Sequence, residues 1–68
     1  MDDDDRSELV GQLFAVMTAD LEDAATLTAD GQGSSRTFEC RAALAERIRA
    51  IAQRSMIVAD ATAAVCKR

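Results

Sequence analysis

Two cysteines carry the most versatile chemistry in this sequence. Cys40 and Cys66 are 26 positions apart, about 39 Å along one straight helix, so they cannot form a disulfide within that helix. The chain has no histidine, and this removes the usual base that activates a thiol or hydroxyl as well as a common zinc ligand. Both cysteines are therefore interpreted as small apolar residues on a helix; the alternative is that they approach each other between the two chains of an antiparallel dimer and form a disulfide there.

Acidic residues and a glycine pair are the remaining candidates for catalysis or ligand binding. The acids between positions 20 and 30 lack the alternating ligands, central glycine and terminal glutamate of a calcium loop. Gly31-Gln32-Gly33 lacks the third glycine and the preceding strand of a dinucleotide-binding loop. The sequence has no recognisable combination of a general base, a nucleophile and metal ligands, so we expect that the protein is not an enzyme and binds no cofactor.

The arginines of the second half could bind nucleic-acid phosphates. Residues 1–35 contain nine acids and one base, and residues 36–68 contain three acids and seven bases, which gives net charges of −8 and +4. The chain as a whole is acidic and has no aromatic residue placed to stack on bases. We expect these arginines to form ion pairs with the acidic residues of the first half. Nucleic-acid binding is the alternative. The arginines concerned are Arg41, Arg47, Arg49 and Arg54.

The composition predicts an all-helical fold. Fourteen of the 68 residues are alanine, the best helix former, and proline is absent. No run approaches the ~20 apolar residues of a membrane span, and the acidic N-terminus is unlike a signal peptide. We therefore expect a cytoplasmic protein without a membrane segment. A chain this short buries too little surface to be stable alone, which favours association.

Two helices and a short loop form the predicted architecture. An acidic flexible tail over residues 1–6 precedes a helix from about 7 to 30 and a loop at about 31–35. Gly31 can end the first helix in the left-handed conformation, and Ser34 or Ser35 can cap the second, which runs from about 36 to 66. A loop this short makes the helices antiparallel. Residues 7–68 are thus predicted to form one helical hairpin domain.

Apolar residues at steps of three and four define a seam on each helix. Leu9, Leu13, Val16 and Leu27 widen the seam of the first helix, which consists of Val10, Phe14, Met17, Leu21, Ala24 and Thr28. On the second helix one heptad position holds Leu44, Ile51, Val58 and Val65, and its neighbour holds Phe38, Ala45, Ala52, Ala59 and Cys66.

The second row of the second helix is symmetric about Ala52. A twofold axis at Ala52 would pack two second helices antiparallel, each row residue meeting its symmetry mate. The alternative is that the alanine row faces the first helix of the same chain. The expected assembly is a homodimeric four-helix bundle. Its predicted dimer interface is Phe38, Ala45, Ile48, Ala52, Ala59 and Cys66.

Further apolar residues lie outside the contact that one hairpin can make, and exposed apolar patches usually mark interfaces. The candidates for binding another protein are Leu9, Leu13, Val16, Met56 and Ile57. The sequence therefore predicts a non-catalytic protein–protein interaction module, a small homodimeric regulator or adaptor. The alternatives are a nucleic-acid-binding hairpin dimer and a structural assembly subunit.

Overall fold

The computed structural model describes residues 2–68 and contains two helices, α1 (Asp3–Gly31) and α2 (Phe38–Cys66), which pack against each other. Helix accounts for 87% of the described residues, and these contain no strand. Each helix has 29 residues, a length of about 43 Å. The predicted all-α antiparallel hairpin is confirmed.

The start of α1 lies within the segment predicted as a flexible tail. Asp2 is the N-cap, and its Oδ1 accepts a hydrogen bond of 2.8 Å from the backbone N–H of Asp5. Acidic residues fill the first turn, where negative charge is stabilised by the positive end of the helix dipole. Residues 3–6 are therefore helical, whereas Met1 lies outside the described residues.

The connection between the helices differs from the prediction in both of its caps. None of the glycines has a positive φ, and α1 ends instead with the Gln32 N–H donating to Ala29 O at 3.2 Å. Arg41 Nε donates to the Gly31 carbonyl at 3.0 Å, which satisfies one of the acceptors left at a helix C-terminus. The cap of α2 is Thr37, whose Oγ1 accepts from the Cys40 N–H at 3.0 Å.

One heptad seam on each helix forms the contact between α1 and α2. The α1 residues that are wholly or partly buried along this seam are Val10, Leu13, Met17, Asp20, Ala24 and Leu27. The corresponding α2 residues are Leu44, Ile48, Ile51, Ser55, Val58, Thr62 and Val65. The predicted α1 seam was wrong at Phe14, Leu21 and Thr28, which are exposed.

The two helices are staggered along the hairpin axis. A Cβ placed on Gly31 would lie 4.0 Å from Leu44 Cδ1, so the last residue of α1 is level with Leu44. The first six residues of α2 therefore extend about 9 Å beyond α1. The hairpin is 52 Å long, in agreement with two equal helices offset by this amount rather than with a longer second helix.

This elongated hairpin exposes more surface than a compact protein of its mass. Its accessible surface is 5117 Å², whereas a folded monomer of 7.3 kDa is expected to expose about 4,200 Å². Its radius of gyration is 15.8 Å, against about 11 Å for a compact domain of this length. About 900 Å² of the surface is therefore in excess of what compact packing would leave exposed.

Candidate interaction surface

An ion pair between the buried Asp20 and the largely exposed Arg54 lies at the centre of the helix contact. Asp20 is only 2% exposed, and Arg54 binds both of its carboxylate oxygens, with Nε 3.0 Å from Oδ2 and Nη2 on Oδ1. These hydrogen bonds hold the pKa of Asp20 below its ordinary value of 3.8 although burial opposes the shift, and Ser55 lowers the pKa further. The pair allows a charged residue to occupy a core position.

The charged groups around this pair define one side of the hairpin, here called the charged side. An open groove of about 320 Å³ lies along it, lined by Asp23, Thr26, Leu27, Arg47 and Ile51. The charge of Asp23 adds to that of Asp20 in raising the pKa of Arg54. Acids of α1 and arginines of α2 thus meet on the same side of the seam.

The opposite side of the seam is an almost uncharged surface. In an antiparallel helix pair, the positions that flank the core on one side of both helices lie next to each other. The following residues are all exposed and form what we call the uncharged face: Gly11, Phe14, Thr18, Leu21, Ala25 and Thr28 on α1, and Phe38, Ala42, Ala45, Ala52, Met56, Ala59, Ala63 and Cys66 on α2. Arg49, which is exposed and shares a heptad position with Ala42 and Met56, also belongs to this face and is its one charge.

The predicted dimer residues fall mostly on the uncharged face. Phe38 is 86% exposed, and the other members of its heptad row are exposed as well. The alternative in which this row faces α1 of the same chain is therefore wrong. Ile48 is the exception among the predicted residues, because it is half-buried in the seam with α1.

Of the five candidates for binding another protein, two are half-buried in the hairpin and three are exposed. Leu9 and Leu13 are half-buried and face α2, because they lie on or beside the α1 seam, so they are not free. Val16, Met56 and Ile57 are exposed. Met56 belongs to the uncharged face, whereas Val16 and Ile57 lie toward the charged side, and a polar ridge on α2 separates Ile57 from Met56. That ridge consists of Glu39, Glu46, Gln53, Asp60 and Lys67.

Two of the four arginines considered for nucleic-acid binding already have partners within the hairpin. Arg54 holds Asp20, and Arg41 binds the Gly31 carbonyl while its guanidinium lies 5.9 Å from the centre of the Phe38 ring. Arg47 borders the groove beside Asp23. Arg49 lies apart from these three, on the uncharged face, so the four do not form one basic surface.

Phe14 and Leu21 are exposed residues that the sequence pattern had placed in the seam between the two helices. Both are large, apolar and more than half exposed. The signal was present in the sequence, because Gly11, Phe14, Thr18, Leu21, Ala25 and Thr28 are a second run at steps of three and four without a charge. The α1 helix therefore has two usable seams, of which the hairpin covers one.

The described residues contain neither a cluster of metal-ligating side chains nor a helix that could span a membrane. Between residues 2 and 68, no three His, Cys, Asp or Glu side chains are grouped to hold a metal ion. Over the same range, neither helix has the length and hydropathy needed to cross a membrane. We also found no match to the chain among models of known families, curated proteins or solved structures.

Proposed function

We propose that this chain is a non-catalytic protein–protein interaction module, a small homodimeric regulator or adaptor whose uncharged face is covered by a second copy. The observation that carries the proposal is the size of that face. Four of the six large apolar side chains exposed on the hairpin, namely Phe14, Leu21, Phe38 and Met56, belong to it. A face of this composition is typical of a protein interface.

The area that the hairpin leaves exposed matches what a dimer needs. A specific interface of standard size buries about 800 Å² on each partner. The hairpin exposes about 900 Å² more than a compact monomer of its mass, its surface being 5117 Å². Covering the uncharged face with a second copy would remove most of this excess and give a four-helix bundle.

Few polar groups on the uncharged face would lose hydrogen bonds when it is covered. Thr18 Oγ1 donates to the Phe14 carbonyl at 3.0 Å, and Thr28 Oγ1 donates to the Ala25 carbonyl at 2.8 Å. Their donors are satisfied within α1, so covering them leaves no donor without a partner. The face also has a single charge, so a strongly charged partner would find no complementary groups on it.

A matched pair of alanine substitutions tests the proposal. Ala52→Arg adds a long charged side chain in the middle of the uncharged face, and Ala50→Arg adds the same side chain two positions away, outside that face. The masses in solution are measured by light scattering over a hundredfold range of concentration. We expect dimers for the unchanged chain and for Ala50→Arg, and a helical monomer for Ala52→Arg.

Other masses would contradict the proposal in different ways. A helical monomer of the unchanged chain would show that the uncharged face does not bind a second copy. Open-ended oligomers would favour the structural assembly subunit instead. A dimer that binds duplex DNA or RNA, with an affinity falling steeply with salt, would favour the nucleic-acid alternative.

The regulator or adaptor part of the proposal rests on what the dimer leaves exposed. Val16 and Ile57 lie outside the uncharged face and remain exposed in such a dimer, next to the arginines and acids of the charged side. Ile57→Glu should therefore leave the mass of the dimer unchanged. A monomeric Ile57→Glu variant would show that self-association already uses this residue and that it is not available for another protein.

A further inference from the structure

We infer that the second copy lies antiparallel on the first, with the loops at opposite ends and the twofold axis passing by Ala52, so that α2 packs along the whole of the partner's α2. This inference rests on the proposed dimer and specifies its geometry. A second arrangement is possible in principle for two stacked hairpins, with the loops at the same end and α2 packed on the partner's α1. Three features of the structure favour the first arrangement.

The bounds of α2 make its exposed row symmetric. The helix runs from Phe38 to Cys66, so Ala52 is its central residue. A twofold axis there places Phe38 opposite the partner's Cys66 and Ala45 opposite the partner's Ala59. The symmetry therefore extends over the full helix, and both ends of each α2 are covered.

The stagger of the hairpin separates the two arrangements. Because Gly31 is level with Leu44, the first turns of α2 extend beyond the end of α1. With the loops at the same end, the partner's α1 would stop short of Phe38, whereas with the loops at opposite ends it is the N-terminal turns of α1, up to Gly11, that extend past the end of the partner's α1. With the loops at opposite ends, the partner's α2 reaches Phe38, which is the most exposed of the large apolar side chains, and brings the Cys66 sulfur against its ring, a favourable contact.

The small side chains of the row allow the two α2 helices to approach closely. Alanines at 45, 52 and 59 permit an axial separation toward the short end of the ~8–10 Å range. The longer side chains of the same face then lie beside the row, and the twofold axis brings Arg49 next to the partner's Met56. The aliphatic part of Arg49 can cover that thioether while its guanidinium stays at the solvated edge.

Cysteine crosslinking distinguishes this arrangement from the others. In a chain with Cys40→Ser and Cys66→Ser, Ala52→Cys places two thiols next to each other at the twofold axis. In the same background, Ala45→Cys is the matched control, because the two thiols would be about 21 Å apart, well beyond disulfide reach. We expect oxidation with copper phenanthroline to shift the Ala52→Cys variant to a dimer on a non-reducing gel, and to leave the Ala45→Cys variant a monomer.

Other outcomes would overturn the inference without removing the proposed dimer. Crosslinking of both variants would indicate parallel α2 helices. If neither variant crosslinks, Gly11→Cys is tested in a chain that has Cys40→Ser and keeps Cys66. A crosslinked dimer of that variant would indicate loops at the same end. The new side chain at Gly11 fits the hairpin, since a Cβ there meets nothing within 4 Å. A monomer of the unchanged chain in light scattering would instead contradict the proposed function itself.

Discussion

Leu21→Ala should weaken the dimer while leaving the hairpin intact. Leu21 is 59% exposed in the hairpin, and alanine is at least as good a helix former, so the isolated chain loses little. Full burial of a leucine side chain is worth about 1.5–3 kcal/mol. The exposed 59% therefore corresponds to about 0.9–1.8 kcal/mol per copy, gained only when a second chain covers it. A dimer contains two copies, so we expect its Kd to rise by about 20- to 300-fold.

Sedimentation equilibrium over a range of concentrations measures this change, and far-UV circular dichroism checks that α1 remains helical. Val16→Ala is the control, because Val16 is 45% exposed but lies outside the uncharged face. Its Kd should match that of the unchanged chain. A Kd for Leu21→Ala that is no higher than that of Val16→Ala would refute the assignment of the uncharged face as the dimer interface.

Three further substitutions test the hairpin itself. Leu44→Ala removes one of its few buried apolar side chains, 7% exposed, and should destabilise it by about 2–5 kcal/mol in urea unfolding; a loss below ~0.5 kcal/mol would contradict the assigned seam. Thr37→Ala removes the cap of α2 and should lower the free energy of unfolding by about 1 kcal/mol. Ser35→Ala is its control and should leave the urea midpoint unchanged. Equal effects of the two substitutions would argue against Thr37 as the cap. Asp20→Asn should lower the Tm at neutral pH. The pKa of Asp20 is depressed in the fold, so its contribution is complete above the unfolded value of 3.8 and is lost as the pH falls through the lower folded value. The Tm difference from Asp20→Asn should therefore shrink in acid, and a difference independent of pH would contradict the ion pair.

The sequence predicted the class of fold and the approximate bounds of α2, but not the caps. Helix content follows from alanine and from the absence of proline, which are local properties. The choice between Ser34, Ser35 and Thr37 as the cap depends on where the chain turns, and that is fixed by the contact of α1 with α2. In the same way, the acidic segment at the N-terminus was assigned to a tail because its charge suggested solvation, whereas Asp2 caps the helix.

The α1 seam was mispredicted because its central residue is charged. Apolar pattern alone favours Leu21 over Asp20 as a core residue, and with it the row that contains Phe14. Only the contact with Arg54, 34 positions later in the chain, makes Asp20 acceptable in the core. A pairing between distant residues cannot be read from the periodicity of either helix, so Phe14, Leu21 and Thr28 were wrongly assigned to the covered seam of α1.

The Asp20–Arg54 pair also explains why the hairpin adopts one register. Sliding α2 by one heptad in one direction would place Thr62 and Ala61 against the carboxylate, which would then have no cation. Sliding it in the other direction would keep an arginine, Arg47, but would place Ile48 against the carboxylate in place of Ser55. Leaving the buried Asp20 carboxylate without a cation is unfavourable, and a polar residue at a single core position is a well-attested way to fix register. The uncharged face has no such pair across α1 and α2, so the polar pair assigns one seam to the hairpin and leaves the other free for a second copy.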